Sequence, residues 1–504
     1  MWEKFIFSTK FLLMICAIEL LFLSELDAQR IDNAVTINWD KTITTSKTTP
    51  TLQLVENPMV RNSSSIHKST FKALKELGAD YVRYVPWFPY PKMAVAELNP
   101  PEKDKTFWNF TYLDSTMQAF MEATNGHPVV INFSTTPAWM WKTDSVVTYP
   151  VNPYQTCWTY NQGTELRDTT MKEVSAYFAR VFSWYTKGGF TDELGHFHQS
   201  GHFYKIPYWE VLNEPDLEHN ISPRIYTKMY DAIVTELKKL SPDTKFVGIS
   251  AGHNRNPEYF EYFLNPKNHQ KGIPLDCISY HHYSQPSWTW KDQPLDVFQY
   301  TYFEKMDAFF DRVRYIESIR KRLSPNTITM INEIGTMLHV HKDPGYRIPD
   351  NYWNLSGALY AYAFVELTRI GIEVAGESQL VGYPTQFPDV SMMNWENGNP
   401  NARFWILKLL KDNFNPGNKL VKTDLNNNSL GIVAQGFFTK NGRKLLLINK
   451  RNVEVPLQLP AEAKNTWISY VDETTHENPP TEVQLVGDNI VLRPFSVAIV
   501  KLKD

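Results

Sequence analysis

Two glutamates stand at the ends of apolar runs. Glu214 closes the run 208–214, ahead of Pro215 and Asp216, and Glu333 closes the run 327–333. An ionised carboxylate beside a hydrophobic strand is costly unless something pairs it or uses it. Two of them facing each other across a cleft suit cleavage of a glycosidic bond. One protonates the departing oxygen while the other attacks the sugar carbon or activates a water. A single strand-end glutamate is usually an ion-pair or helix-cap residue, so the pair says more than either residue alone. Glu210, inside the first run, reads as a hydrogen-bonded interior residue rather than a catalyst.

Strands alternating with helices must position this pair. Short apolar segments recur at 80–86, 128–134, 206–213, 245–250, 276–282, 327–333 and 371–378, and an earlier extended segment at 51–57 makes eight. Amphipathic stretches lie between them, such as 69–78, 171–189, 224–240, 305–323 and 355–371. Gly78 and Gly371 follow the last periodic residue of their stretches, a common helix stop. The pattern predicts an α/β fold, a (β/α)8 TIM barrel with insertions, whose reactive groups sit at the C-terminal ends of the strands. By this count Glu214 and Glu333 end the fourth and seventh strands. A doubly wound open sheet is the alternative, but no Gly-rich phosphate loop follows the first strand to support it. From about residue 418 apolar and polar residues alternate to the end, with Lys440-Asn441-Gly442 as a hairpin turn. That texture predicts a C-terminal antiparallel β-sandwich domain. The expected division is a signal peptide (1–28), an N-terminal extended segment able to join the sandwich (29–60), the catalytic barrel (61–415) and the sandwich (416–504).

Lys4 and Lys10 lead into an apolar run, 11–23, that Glu19 interrupts and that is too short to span a bilayer. It reads as a secretory signal cleaved near Ala28, which points to a secreted or periplasmic protein. A net charge of −3 gives no reason to expect nucleic acid or an acidic membrane surface as a partner. Aromatic residues make up 14% of the chain, and sugar faces stack on such rings, so a carbohydrate ligand gains weight. The mature chain keeps Cys157 and Cys277 without any Cys-x-x-Cys spacing. Two cysteines in a chain this long are more often unpaired. Sequons occur at Asn62, Asn109, Asn132, Asn220, Asn354 and Asn427, of which Asn132 lies in a strand and is expected to be buried.

With this strand placement, Trp-Glu-Val-Leu-Asn-Glu-Pro-Asp (209–216) and the second glutamate in Ile-Asn-Glu-Ile-Gly (331–335) resemble the clan A glycoside hydrolases. Within that clan the chain most resembles family 39, which includes β-xylosidases and α-L-iduronidases and often carries an appended β-sandwich. It departs from the pattern at Leu212, where many such enzymes have Trp. The resemblance implies that Glu214 is the general acid/base and Glu333 the nucleophile. It implies that Asn213 hydrogen-bonds the sugar 2-hydroxyl and that Arg83 holds the nucleophile ionised. His281 and Tyr283 match the residues after the sixth strand, where the tyrosine hydrogen-bonds the nucleophile. Asn213 and Glu214 are neighbours, so both enter one site only if the strand end bulges or twists. The implied activity is secreted, retaining hydrolysis of an oligosaccharide, polysaccharide or glycoside by double displacement, with no cofactor.

Glu377, after the eighth strand, is a candidate substrate contact, or else the partner of Arg83 or another buried base. Trp139 and Trp141, in the loop after the third strand, are candidates for stacking on sugar, with packing of that loop as the alternative. Three histidine groups raise the question of a metal: His196, His198 and His202; His281 and His282; His339 and His341. The first precedes the fourth strand and belongs to the N-terminal face of the barrel. None has an His-Glu-x-x-His or Cys-x-x-Cys pattern, and no metal ligand is assigned. Two other activities fit the same fold. One is a carbohydrate-binding protein without turnover, against which the presence of both glutamates argues. The other is a transglycosylase, in which a sugar rather than water accepts the intermediate.

Overall fold

The computed structural model describes residues 33–160, 162–286, 294–338, 347–349, 351–426 and 431–503. The signal segment, His339, His341 and the Asn427 sequon lie outside these residues. Strand β1 (Val35–Thr45) belongs to the C-terminal domain. The barrel staves follow in chain order: β2 (Thr49–Val55), β3 (Val82–Val85) and β4 (Val129–Ile131) come first. A hairpin of β5 (Gly189–Thr191) and β6 (Phe197–Gln199) precedes β7 (Tyr208–Glu210), β8 (Lys245–Ala251) and β9 (Cys277–Ser284). The last two staves are β10 (Ile328–Thr336) and β11 (Val374–Glu377), and β11 pairs with β2 to close a parallel barrel of eight. The helices His67–Leu77 and Tyr352–Ile370 stop where predicted, at Gly78 and Gly371 with φ of 55° and 94°.

Period-two alternation fills the barrel interior in layers. The lowest is apolar: Val130, Tyr208, Val247, Cys277, Met330 and Val374 form one buried cluster. Two residues further along their strands, Asn132, Glu210, Ser279 and Asn332 form a buried polar layer. Glu210 is its centre, accepting hydrogen bonds from Arg83 Nε, Asn132 Nδ2, Ser279 Oγ and Asn332 Nδ2. That is the interior role expected of it, and the burial of Asn132 places its sequon out of reach. The next layer up is the mouth.

The C-terminal strands are β12 (Lys419–Leu425), β13 (Ile432–Thr439), β14 (Gly442–Asn449), β15 (Val455–Gln458), β16 (Trp467–Val471), β17 (Thr481–Gln484), β18 (Asn489–Leu492) and β19 (Val497–Lys501). They form an antiparallel sheet in the order β1-β12-β13-β14-β19-β16-β17, with the ribbon β15–β18 beside it. Leu445, Leu447, Ala498 and Val500 pack with residues of the ribbon, while their neighbours Leu446, Ile448, Val497 and Ile499 join the barrel's core. The expected division at residue 61 needs correcting. Residues 35–45 pair with β12, but 49–55 form a barrel stave, so the change of domain falls between β1 and β2. The two extended segments look alike in sequence, and only burial separates them: β2 is enclosed along nearly its whole length, whereas β1 is largely exposed. Cys157 and Cys277 are free thiols. No helix among the described residues is long and apolar enough to cross a membrane.

Candidate active site

The mouth of the barrel opens on a cavity of about 960 Å3 whose lining includes Asn213, Glu214, His281, Tyr283 and Glu333. Two local departures from regular strand geometry put these side chains there. After β7, Leu212 and Glu214 adopt left-handed φ of 62° and 40°, breaking the alternation so that Asn213 and Glu214 both face the cavity. Such conformations cost non-glycine residues of order 1–3 kcal/mol each and persist only where the surroundings enforce them. In β10 the register against β9 slips between Met330 and Glu333. That bulge lets Asn332 reach down to Glu210 while its neighbour Glu333 faces the cavity. Glu214 also needs an open neighbour, since a Cβ on Gly252 would lie 2.8 Å from its Cδ.

Arg83 links the polar layer to the mouth. Its Nη1 donates to Glu333 Oε1 at 2.6 Å and to Gln53 Oε1 at 2.7 Å, and its Nη2 donates to Asn213 Oδ1 at 2.7 Å. Tyr283 donates to Glu333 Oε2 at 2.6 Å and lies 2.6 Å from Ser378 Oγ. His281 Nδ1 stands 2.8 Å from Glu214 Oε1 and 3.6 Å from Glu333 Oε1. Burial pushes Glu333 up, but His281, the Arg83 charge and the Tyr283 hydrogen bond outweigh it and hold the carboxyl below its usual range. Burial pushes His281 down, and the two glutamates more than restore it, leaving it above the usual histidine value.

Glu214, His281 and Glu333 offer ligand atoms within 4.8 Å of one another. A divalent cation there would sit beside the Arg83 guanidinium and compete for oxygens already engaged by Arg83, Tyr283 and His281. The residues suit a hydrogen-bonded carboxylate pair better than a metal centre.

Several residues absent from the sequence reading complete the cavity. Glu218 returns to the same wall because one turn of backbone, closed by Glu218 N–H donating to Glu214 C=O at 2.7 Å, follows Glu214. Its Oε1 accepts from Trp87 Nε1 and Asn213 Nδ2, both at 2.7 Å, while Oε2 is buried without a partner. Burial and the Glu214 carboxylate push Glu218 well above the usual carboxyl range. The spacing of four within Glu-Pro-Asp-Leu-Glu was the available signal. Trp87, Phe88, Trp158 and Phe387 form an aromatic section of the lining, with Trp158 46% exposed and so free to meet a ligand face.

The remaining candidates lie elsewhere. Glu377 is fully buried against Arg403, which donates from Nε to Oε1 at 2.9 Å, and takes no part in the cavity lining. Alternation explains this, since its neighbour Ser378 faces the barrel interior, where its Oγ accepts from Gln53. Trp141 is buried, stacks on His219 at 4.3 Å and donates to Thr136 Oγ1. Trp139 donates to the Glu97 carbonyl. Neither lines the cavity; both pack the loop after β4. His196, His198 and His202 lie on the segment that leads into β7, with His198 2.8 Å from Asp192. They too are outside the lining.

No family model matches the chain, and no curated protein matches it in sequence. Solved structures do match its fold. A GH51 arabinofuranosidase from Xanthomonas axonopodis pv. citri is similar at a TM-score of 0.62 and 13% identity, over 94% of this chain and all of that one. A GH30 endoxylanase from Clostridium papyrosolvens C71 gives 0.55 and 13%, over 93% of this chain and all of that one. A conserved exported protein from Bacteroides fragilis gives 0.61 and 12%, over 93% and 99%. At such identities the likeness establishes the architecture, a parallel eight-stranded barrel with an antiparallel sheet domain.

Proposed function

We propose that this protein is an exported, retaining glycoside hydrolase of the clan A type, with Glu333 as nucleophile and Glu214 as acid/base. The observation that carries this reading is the carboxylate pair. An oxygen of Glu214 lies within 4.8 Å of one of Glu333, and only Glu333 is clamped by Arg83 and Tyr283. Retaining enzymes hold their carboxyl groups about 5–5.5 Å apart and inverting ones roughly 6.5–9.5 Å, to admit a water. In the first step Glu333 forms an ester with the anomeric carbon while Glu214 gives its proton to the departing oxygen. In the second Glu214 takes a proton from water, which attacks the same carbon and frees Glu333. The neighbouring Asn213, with its Oδ1 held by Arg83 and its Nδ2 by Glu218, is placed to meet a sugar hydroxyl. Placement in family 39 rests on the motif resemblance alone.

The test is turnover of a panel of aryl glycosides: β-xyloside, β-glucoside, β-galactoside, α-L-arabinoside and α-L-iduronide. Glu333→Gln should abolish turnover of every substrate. Glu214→Gln should form the glycosyl-enzyme from an activated leaving group and then stall, and azide should release a glycosyl azide of retained configuration. Azide rescue of Glu333→Gln, or an inverted product, would overturn the assignment. Saccharide binding without any turnover by the wild type would favour the binding-protein reading.

A further inference from the structure

One part of the cavity lining is strongly basic. Arg255, Lys305 and Arg312 all line it, close to His253 and His282. Among the described residues none of the three forms an ion pair with a carboxylate. Arg312 instead donates from Nε to Asn254 Oδ1 at 2.7 Å and stands over the Phe309 ring at 5.7 Å. The arrangement is built rather than incidental. Asn254 is buried and donates from Nδ2 to the carbonyl of His281, the residue that touches Glu214. Asp216, from the Asn-Glu-Pro-Asp run, accepts from the backbone N–H groups of Gly252 and His253 at 3.0 and 2.7 Å. The loop carrying Arg255 is therefore tied to the segment carrying Glu214. Arg255 lowers the pKa of Arg312, on top of the effect of burial. Burial and the charges of Arg312, Arg255 and Lys305 push His282 down to about 3, so it adds no positive charge of its own.

Three cations gathered at one wall repel one another, a cost that an anionic ligand removes. The carboxyls of the cavity are engaged elsewhere: Glu333 by Arg83 and Tyr283, Glu214 by His281, and Glu218 by Trp87 and Asn213. We propose that the saccharide bound in this cavity carries an anionic substituent, a uronate carboxylate or a sulfate ester, held by Arg255, Lys305 and Arg312. This deepens the hydrolase reading and rests on it for the saccharide. Arg312 is joined to the Glu214 side of the site through Asn254 and His281. A guanidinium presents a planar fork that matches either oxyanion.

The test measures binding to Glu333→Gln protein, which turns nothing over, by calorimetry at low salt. Three oligosaccharides of one backbone are compared: uronate-containing, sulfated, and the neutral form with carboxyl reduced and sulfate removed. At least one anionic form should bind about tenfold or more tighter than the neutral form, equivalent to about 1.4 kcal/mol. Which arm shows the preference identifies carboxylate or sulfate. The preference should shrink as salt rises and should collapse when Arg255→Gln and Arg312→Gln are added together. Should that variant fail to fold, Lys305→Gln and the salt titration of the parent protein serve instead. Equal binding of all three forms would overturn the proposal, as would a preference that survives both salt and substitution. Turnover by the wild type is read separately. Hydrolysis of neutral glycosides with no anionic preference leaves the hydrolase reading standing and removes this one. Anionic preference without turnover of any glycoside does the reverse.

Discussion

The site treats two of its carboxyls, Glu333 and Glu218, in opposite ways. Tyr283 donates to Glu333 and, with His281 and Arg83, holds it ionised against the effect of burial. Tyr283→Phe removes one stabiliser of the charged form, so Glu333 titrates higher. The acid limb of kcat/KM should move to higher pH, with a loss of about tenfold or more at the optimum, the scale of a hydrogen bond to a charged group. An unmoved acid limb would show that Arg83 and His281 alone set the charge. Glu218 is the reverse case, a carboxyl whose protonated form is favoured in the fold by burial and by Glu214. The unfolded chain ionises it near the ordinary 4.5, so above that pH the folded state binds one more proton than the unfolded state. Its contribution is therefore present below the unfolded value and lost as pH rises toward the folded one. Glu218→Gln carries an amide with no such dependence. Measured by urea midpoints at about pH 5 and pH 8, the variant should gain on the wild type at the higher pH. A pH-independent difference would mean that Glu218 is ionised in the fold.

At the scale of elements, the site depends on where the staves stop being regular. The left-handed residues after β7 aim Glu214, and Gly252 after β8 leaves the space it occupies. Gly252→Ala would put a methyl group 2.8 Å from the Glu214 carboxyl carbon, forcing that carboxyl away from His281. A displaced acid matters most when the leaving group needs a proton. Turnover of glycosides with poor leaving groups should therefore fall about 10- to 100-fold, and of those with good leaving groups much less. An equal loss on both would point to general disruption of the barrel mouth. The bulge in β10 does for Glu333 what the backbone reversals do for Glu214. The strand-end positions of both glutamates were legible from residue types. So was the need for a bulge or twist after β7, since the neighbours Asn213 and Glu214 must share one site. The bulge in β10 was not, because it arises from pairing between strands far apart in the chain.

At the scale of the molecule, the barrel and the C-terminal sheet share a core. Phe437 of β13 is buried and meets Phe414, the residue after the helix Ala402–Asn413, at a ring separation of 4.2 Å. Arg369, on the helix Tyr352–Ile370, donates to Gln435 Oε1 across the same boundary. Phe437→Ala should cost about 3–5 kcal/mol, the usual range for emptying a large aromatic from a core. Chemical denaturation should show barrel and sheet unfolding in one transition, shifted together. Two separate transitions, with the barrel's unchanged, would show that the shared core does not couple the domains.

Local pattern alone determined the class of fold, the stave segments and the pair Glu214 and Glu333. Apolar runs of strand length alternating with helical periodicity admit few architectures, and a carboxylate at the end of such a run stands out by its cost. The resemblance to clan A added Arg83, Asn213, His281 and Tyr283, all now within one hydrogen-bonded network. Tertiary structure decided the rest. Glu377 went to Arg403 because strand alternation pairs it with a helix that begins 25 residues later. Trp141 went to His219, and the aromatic section of the cavity came instead from Trp87, Trp158 and Phe387. The change of domain moved from residue 61 to the gap between 35–45, a sheet edge, and 49–55, a stave. The basic wall of Arg255, Lys305 and Arg312 draws on two loop and helix segments about 50 residues apart in sequence, which no local window joins. Residue types set what each side chain can do. Which side chains meet is set by barrel closure, because it alone brings the ends of distant strands to one rim.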